Sequence, residues 1–139
     1  MSSKPIFACA DPVDVRFKLS ALWTSILFIF AYVDLFSLYR PDVRAGLEMG
    51  KIAVFDVSET FLLATTLYIA IPCLMVFLCL VMRPAVNRIA NMVIATLYGI
   101  TIIGAAVGEW HYYVFGSALE VILLMLIVMF AYKWPRLPV

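Results

Sequence analysis

The chain has 139 residues, of which 65% are hydrophobic and only 14% are charged, and its formal net charge is +1. A mean hydropathy of +1.05 excludes a soluble domain of ordinary composition and indicates an integral membrane protein. The near-neutral charge and the lack of a basic patch give no reason to expect nucleic-acid binding.

Four long stretches of the chain are almost free of charge. Each is long enough for a helix that crosses a bilayer core of ~30 Å, which needs about 20 residues. Their solid apolar runs lack the alternation of a β-barrel strand, so helices are expected. We predict a single membrane domain with transmembrane helices over Phe17–Tyr39, Glu59–Met82, Pro84–Gly108 and Tyr112–Tyr132, and an outer loop over residues 40–58.

Between Lys18, at the start of the first predicted helix, and Arg40, the one charged residue is Asp34. Insertion of a charged side chain into the membrane costs on the order of 3 kcal/mol even on the scales that give the lowest values, so such a residue usually has a role. The following loop ends in Asp56-Val57-Ser58-Glu59, in which Asp56 and Glu59 can satisfy free amides at the start of the second helix. Glu59 therefore has a helix-end explanation as well as a binding one.

The second predicted helix is interrupted by Pro72. Proline lacks an amide hydrogen, so it should kink the helix and free the carbonyl of Tyr68. Cys73 and Cys79 lie too far apart on this helix to form a disulfide, and Cys9 should be cytoplasmic.

The third predicted helix begins with a polar group of Asn87, Arg88 and Asn91 on the inner side. Arg88 is expected to reach headgroups or water, with a specific anion site as the alternative. Near the other end, Gly104 and Gly108 form a small-residue motif that predicts a contact between helices. The fourth helix has one carboxylate, Glu120, deep in an apolar run.

Each predicted helix carries polar or small residues at spacings of three and four, and these stripes are expected to face one another. The stripes comprise Ser20, Thr24, Leu27, Ala31 and Asp34; Glu59, Leu63, Thr66, Ala70 and Cys73; Asn91, Ala95, Tyr98, Ile102, Ala105 and Glu109; and Tyr113, Ser117, Glu120 and Leu124.

Short connections between helices predict an all-α, four-helix up-down bundle. An even number of spans puts both termini on one side, together with most basic residues, so we place them in the cytoplasm. The basic residues of that side are Lys4, Arg16, Lys18, Arg83, Arg88, Lys133 and Arg136, against Arg40, Arg44 and Lys51 on the other.

The depths of Asp34 and Glu120 are similar, roughly 7 and 12 Å below the outer boundary at about 1.5 Å per residue. We therefore expect an outward-opening acidic pocket in which two simultaneous negative charges are disfavoured. Its expected ligand-binding residues are Asp34, Glu59, Thr66, Tyr98, Glu109, His111, Tyr113 and Glu120.

Three functions fit this pocket. The leading one is binding or transport of a proton, a cation or a small amphipathic ligand. The second is a cofactor-independent acid–base enzyme of the isomerase, cyclase or epoxide hydrolase type, acting on a terpenoid or sterol-like substrate. In that enzyme Asp34 and Glu120 are the catalytic pair, and His111 is a further candidate. The third is a non-catalytic subunit of a larger membrane complex, in which the two acids only hold the bundle together. A second copy of the chain is a candidate partner for the leading function, since four short helices can form such a site alone or as a homodimer.

No cofactor and no metal are expected. The chain has no Cys-x-x-Cys, His-Glu-x-x-His, Walker or glycine-rich dinucleotide motif. A single histidine, His111, also argues against a haem held by two histidines.

Several segments carry a resemblance: Lys18-Leu19-Ser20-Ala21-Leu22-Trp23, Tyr32-Val33-Asp34, Asn87-Arg88-Ile89-Ala90-Asn91, Glu120 and Ala131-Tyr132-Lys133-Trp134-Pro135. Together they resemble a family of small bacterial four-span membrane proteins catalogued as a domain of unknown function. The resemblance implies a four-helix protein of the bacterial inner membrane and draws attention to Asp34, Arg88, Asn91 and Glu120. It implies no activity.

Overall fold

The computed structural model of the protein describes residues 13–134. Its elements in chain order are α1 (Val15–Ser37), α2 (Pro41–Glu48), β1 (Lys51–Ile52), β2 (Phe55–Asp56), α3 (Glu59–Val81), α4 (Pro84–Ala105) and α5 (His111–Lys133). Four of the helices, α1, α3, α4 and α5, are long and apolar enough to cross a membrane. The predicted all-α fold with four membrane-spanning helices is confirmed. Cys9, with the other residues before 13, lies outside the described part.

The helix ends follow local hydrogen bonds. Asp14 caps α1 by accepting a hydrogen bond from the Arg16 amide at 2.9 Å. Ser58 caps α3 by accepting one from the Phe61 amide at 3.2 Å. The predicted cap by Asp56 is therefore wrong, because Asp56 lies in β2 and is paired with Lys51 of β1.

Residues 40–58, predicted as a loop, contain the short helix α2 and the antiparallel hairpin of β1 and β2. Gly50 and Ala53 have positive φ angles of 71° and 51°, which turn the chain into and through the hairpin. Arg40 fixes this segment to the α4–α5 turn, because its guanidinium contacts Glu109 at 2.5 Å and lies 4.6 Å from the Trp110 ring centroid. We call the end of the bundle that carries α2 and the hairpin the hairpin end.

The four long helices do not form a closed ring. α1 packs against α3 and α5, and α4 packs against α5, whereas α3 and α4 touch only sparsely. The buried residues of α3 are Pro72, Met75 and Cys79, all in its second half, so no residue before Pro72 is buried. The short connection between α3 and α4 would make them neighbours along their whole length, but at the hairpin end their backbones stand apart and are joined through the side chains of Tyr68, Tyr98 and Thr101.

Most of each stripe predicted for α4 and α5 is confirmed, although Ala105 is exposed and Glu109 lies beyond the end of α4. In α4 the buried residues include Asn91, Ala95, Tyr98 and Ile102, and in α5 they include Ser117, Glu120 and Leu124. The buried face of α1 is instead an apolar one, formed by Leu19, Trp23, Ile26 and Val33, each one residue before a predicted position. The predicted stripe of α3 is wrong, since its members are not buried.

The close approach between helices occurs at Gly116, not at Gly104 or Gly108. A Cβ atom on Gly116 would lie 2.5 Å from Cγ2 of Val33, so α5 and α1 nearly touch there. A Cβ atom on Gly104 or Gly108 would meet nothing within 4 Å. Gly108 also lies beyond the end of α4, with φ at +83°. The predicted helix contact at Gly104 and Gly108 is therefore wrong.

Candidate functional site

A cavity of about 580 Å³ lies between α1, α3, α4 and α5 at the hairpin end. This is within the size range of small-molecule sites, about 300–1,000 Å³. Its wall is formed by Phe30, Val33, Asp34, Phe55, Thr65, Tyr68, Ile69, Thr101, Ile102, Ala105, Tyr113, Ser117 and Glu120. Because the first half of α3 stands away from α4, the cavity occupies the space that close packing would have filled.

Both intramembrane carboxylates lie on this wall. Glu120 of α5 is 3% exposed, whereas Asp34 of α1 is exposed. Within residues 13–134, the side-chain carboxylates that form ion pairs are Asp42 and Glu109, both with Arg40. No described side chain donates a hydrogen bond to Asp34 or Glu120. Within residues 13–134, both carboxyl groups therefore face the cavity without a side-chain hydrogen bond.

The hydroxyl groups of the wall differ in how they are used. Thr65 donates to the Phe61 carbonyl of its own helix at 2.9 Å, and Thr101 donates to the Tyr98 carbonyl at 2.9 Å. Ser117 is buried beside Glu120 on α5, and Tyr113 is half-buried on the same helix. The wall thus has a mainly apolar surface with a few polar groups, as ligand sites do.

Tyr68 joins α3 to α4 at the edge of the cavity. Its hydroxyl lies 2.6 Å from Thr101 Oγ1, and its ring stacks on Tyr98 at 4.6 Å between centroids. The Tyr68 carbonyl, which lacks a helical donor because residue 72 is proline, accepts a hydrogen bond from the Tyr98 hydroxyl. Pro72 therefore creates a contact between helices, and the freed carbonyl already has a partner within the chain.

The other predicted pocket residues are not on the cavity wall. Glu59 and His111 are exposed at the first positions of α3 and α5. Thr66 donates to the Leu62 carbonyl at 2.8 Å. The ring of Tyr98 stacks on the ring of Tyr68, and Tyr68 is the one of the two that lines the cavity.

Glu109 is held by an ion pair with Arg40 at the hairpin end of the bundle. Arg40 binds both Glu109 and Asp42, the latter at 2.6 Å. These bonds raise the pKa of Arg40 above its already high value, and Arg40 lowers the pKa of Asp42. Arg40 thus stays charged and is occupied by two carboxylates outside the cavity.

The expected ligand-binding residues omit the α3 and α4 wall that the structure shows. Thr65, Tyr68 and Ile69 line the cavity from α3, and Thr101 lines it from α4 together with Ile102 and Ala105, which the predicted stripe of that helix already contained. Their spacing of three and four residues is the signal that could have found them. It is weak, because a membrane helix is apolar on all sides and shows little contrast between its faces.

The second polar group forms a buried network away from the cavity. Asn91 accepts a hydrogen bond from Trp23 Nε1 at 2.8 Å and donates to Asn87 Oδ1 at 2.7 Å. Asn87 donates to the Cys79 carbonyl at 2.6 Å. Both asparagines are fully buried, so they join α1, α3 and α4 structurally. Arg88 lies beside them, 5.8 Å from the Tyr132 ring centroid.

The cavity does not continue through this network. The packed core beyond it contains Leu19, Trp23, Ile26, Met75 and Ile127, all at most 1% exposed. Within residues 13–134, no group of three or more histidine, cysteine, aspartate or glutamate residues is placed to hold a metal ion. The arrangement can accept hydrogen bonds, pair with a positive charge and exchange a proton with a bound molecule.

Comparison with known proteins identifies a family. The model of a family of unknown function, DUF6326, matches residues 10–138. Neither the curated proteins nor the solved structures gave a match. Since the family model covers nearly the whole chain, the protein belongs to the DUF6326 family.

Proposed function

We propose that this protein binds a small amphipathic molecule in the cavity between its four long helices, with Glu120 and Asp34 as the groups that hold the polar part. The observation that carries the proposal is Glu120, which is 3% exposed, lies on the cavity wall and has no side-chain partner within residues 13–134.

The Glu120 carboxyl group opens on the cavity. The residue as a whole is 3% exposed and lines the cavity, yet its oxygens are not among the fully buried side-chain atoms without a hydrogen bond, of which Arg88 Nε is the one within residues 13–134. A role as a helix lock would require Glu120 to bond to a neighbouring helix, as Asn91 does with Trp23. Glu120 makes no such bond to a described residue, so a molecule in the cavity is the better explanation of an acid at this depth.

Binding is favoured over transport by the shape of the interior. The cavity occupies only the hairpin end, and the packed core around Trp23 and Met75 fills the space beyond it. A transported molecule would need a route through that core, whose side chains are at most 1% exposed.

The test is recovery of the bound molecule. Protein purified in a mild detergent is extracted with organic solvent, and the extract is compared by mass spectrometry between wild type, Glu120→Gln and Glu48→Gln. Glu48 is exposed at the end of α2 and controls for the loss of one negative charge. We expect a small molecule in the wild type and the control that is depleted roughly tenfold in Glu120→Gln, which corresponds to about 1.4 kcal/mol. Equal extracts from all three proteins would contradict the proposal.

A second candidate function is acid–base catalysis on a lipophilic substrate. It is favoured by the different surroundings of the two acids, since Glu120 is buried and Asp34 is exposed on the same wall. Two carboxyl groups in unlike environments can serve as acid and base. Incubation with terpenoid or sterol-like candidates distinguishes the two functions, because an enzyme converts the compound whereas a binding protein returns it unchanged.

We also infer that the protein lies in the bacterial inner membrane with both termini in the cytoplasm. The excess of basic residues on the side of the termini supports this orientation. The resemblance to small bacterial membrane proteins supports the compartment.

A further inference from the structure

We propose that the molecule bound in the cavity is a lipophilic amine, with an apolar body and a protonated nitrogen that pairs with Glu120. This inference rests on the proposed function and specifies the chemical class of its ligand. It is carried by the charges and the surface of the cavity wall.

The charged groups on the cavity wall all have the same sign. Among the described residues that line the cavity, two are acidic and none is basic. The nearby guanidinium of Arg40 is already bound by Asp42 and Glu109. An anionic ligand would therefore meet only like charge, and a neutral ligand would leave the negative charge that the two acids retain without a counter-charge. A protonated amine supplies both a positive charge and an N–H donor to Glu120.

The rest of the cavity wall is mainly apolar and aromatic. Phe30, Ile69 and Ile102 present apolar surface, which an inorganic cation with its water shell would not use. The rings of Tyr68 and Tyr113 are part of the same wall. Aromatic rings attract organic cations through their faces, so the wall suits an ammonium group on a hydrophobic body.

The cavity lies next to exposed apolar surface of α3 and α4. α3 and α4 touch sparsely beside it, and their neighbouring apolar side chains Leu62, Leu97 and Ile100 are more than half exposed. In a membrane these side chains contact acyl chains, so the cavity is adjacent to the phase in which a lipophilic amine dissolves.

The experiment compares two probes on the full chain in lipid nanodiscs by isothermal titration calorimetry, with empty nanodiscs subtracted. The amine probe is dibenzylmethylamine, and its neutral counterpart is N-benzyl-N-methylbenzamide, which has the same carbon skeleton and no basic nitrogen. We expect wild type to bind the amine at least about tenfold more tightly than the amide. This preference should disappear in Glu120→Gln and remain in Glu48→Gln.

The amine and amide are compared on wild type, so the main result does not depend on folding of a variant. Asp34→Asn, at an exposed position, serves as a second variant and should reduce the preference for the amine. Equal binding of both probes, or tighter binding of the amide, overturns the amine inference and leaves the cavity as a site for neutral ligands. Failure of both probes to bind also overturns the amine inference. The proposed function is tested separately, by the extraction experiment described above.

Discussion

Gly116 sets the distance between α1 and α5, so Gly116→Ala should destabilise the bundle beside the cavity. The new Cβ would lie 2.5 Å from Cγ2 of Val33 and 3.8 Å from Cγ2 of Ile29. The first distance is well below van der Waals contact, so either Val33 rotates or α1 moves away. Overpacking of this kind typically lowers the free energy of unfolding by about 1–3 kcal/mol. This loss outweighs the roughly 0.5–1 kcal/mol of stability that is gained when alanine replaces a glycine inside a helix.

The assay is a double-mutant cycle, read as the free energy of unfolding in mixed micelles with increasing denaturing detergent. Val33→Ala removes the methyl group that the new Cβ meets, so the double variant should be more stable than the sum of the single changes predicts. Gly104→Ala is the matched control on α4, since its Cβ would meet nothing within 4 Å. A Gly116→Ala protein as stable as wild type, or strict additivity with Val33→Ala, would refute the close approach of the two helices.

Three further changes probe the contacts around the site. Tyr98→Phe leaves the Tyr68 carbonyl without a donor and should cost about 1–3 kcal/mol in the same unfolding assay; no loss would mean that this carbonyl has another partner. Asn91→Leu removes the acceptor of the Trp23 indole, so we expect a similar loss and a shift of Trp23 fluorescence, and an unchanged spectrum would contradict the buried bond. Val54 is 88% exposed in the hairpin. In a cysteine-free background, the Val54→Cys protein should react with an impermeant maleimide in intact cells; labelling only after lysis would reverse the proposed orientation.

The four membrane helices and the buried faces of α4 and α5 could be predicted because polar residues mark those faces. Asn91 and Glu120 are costly in lipid, so each has to lie inside, and the rest of its face follows from the helical period. In α1 the predicted stripe is displaced by one residue from the buried face. Thr24 donates to the Ser20 carbonyl of its own helix at 2.9 Å, so it needs no buried partner and does not mark the core.

The first half of α3 could not be predicted from the same signals. Thr65 and Thr66 both bond to carbonyls of their own helix, yet only Thr65 lies on the cavity wall. The face that α3 turns to the cavity depends on Pro72 and on the packing of its second half against the other helices. Small residues were equally ambiguous, since Gly104 fits a packing motif and packs against nothing, whereas the isolated Gly116 makes the close contact.

The most direct test of whether Glu120 holds a ligand is an experimental density map. The protein would be in lipid nanodiscs, and the resolution would be high enough to show side chains. We predict density for a molecule between α1, α3, α4 and α5, with a polar atom within hydrogen-bonding distance of the Glu120 carboxyl group. A map in which α3 lies against α4, the cavity is closed and Glu120 is bonded to a side chain of the protein would contradict the proposed binding site.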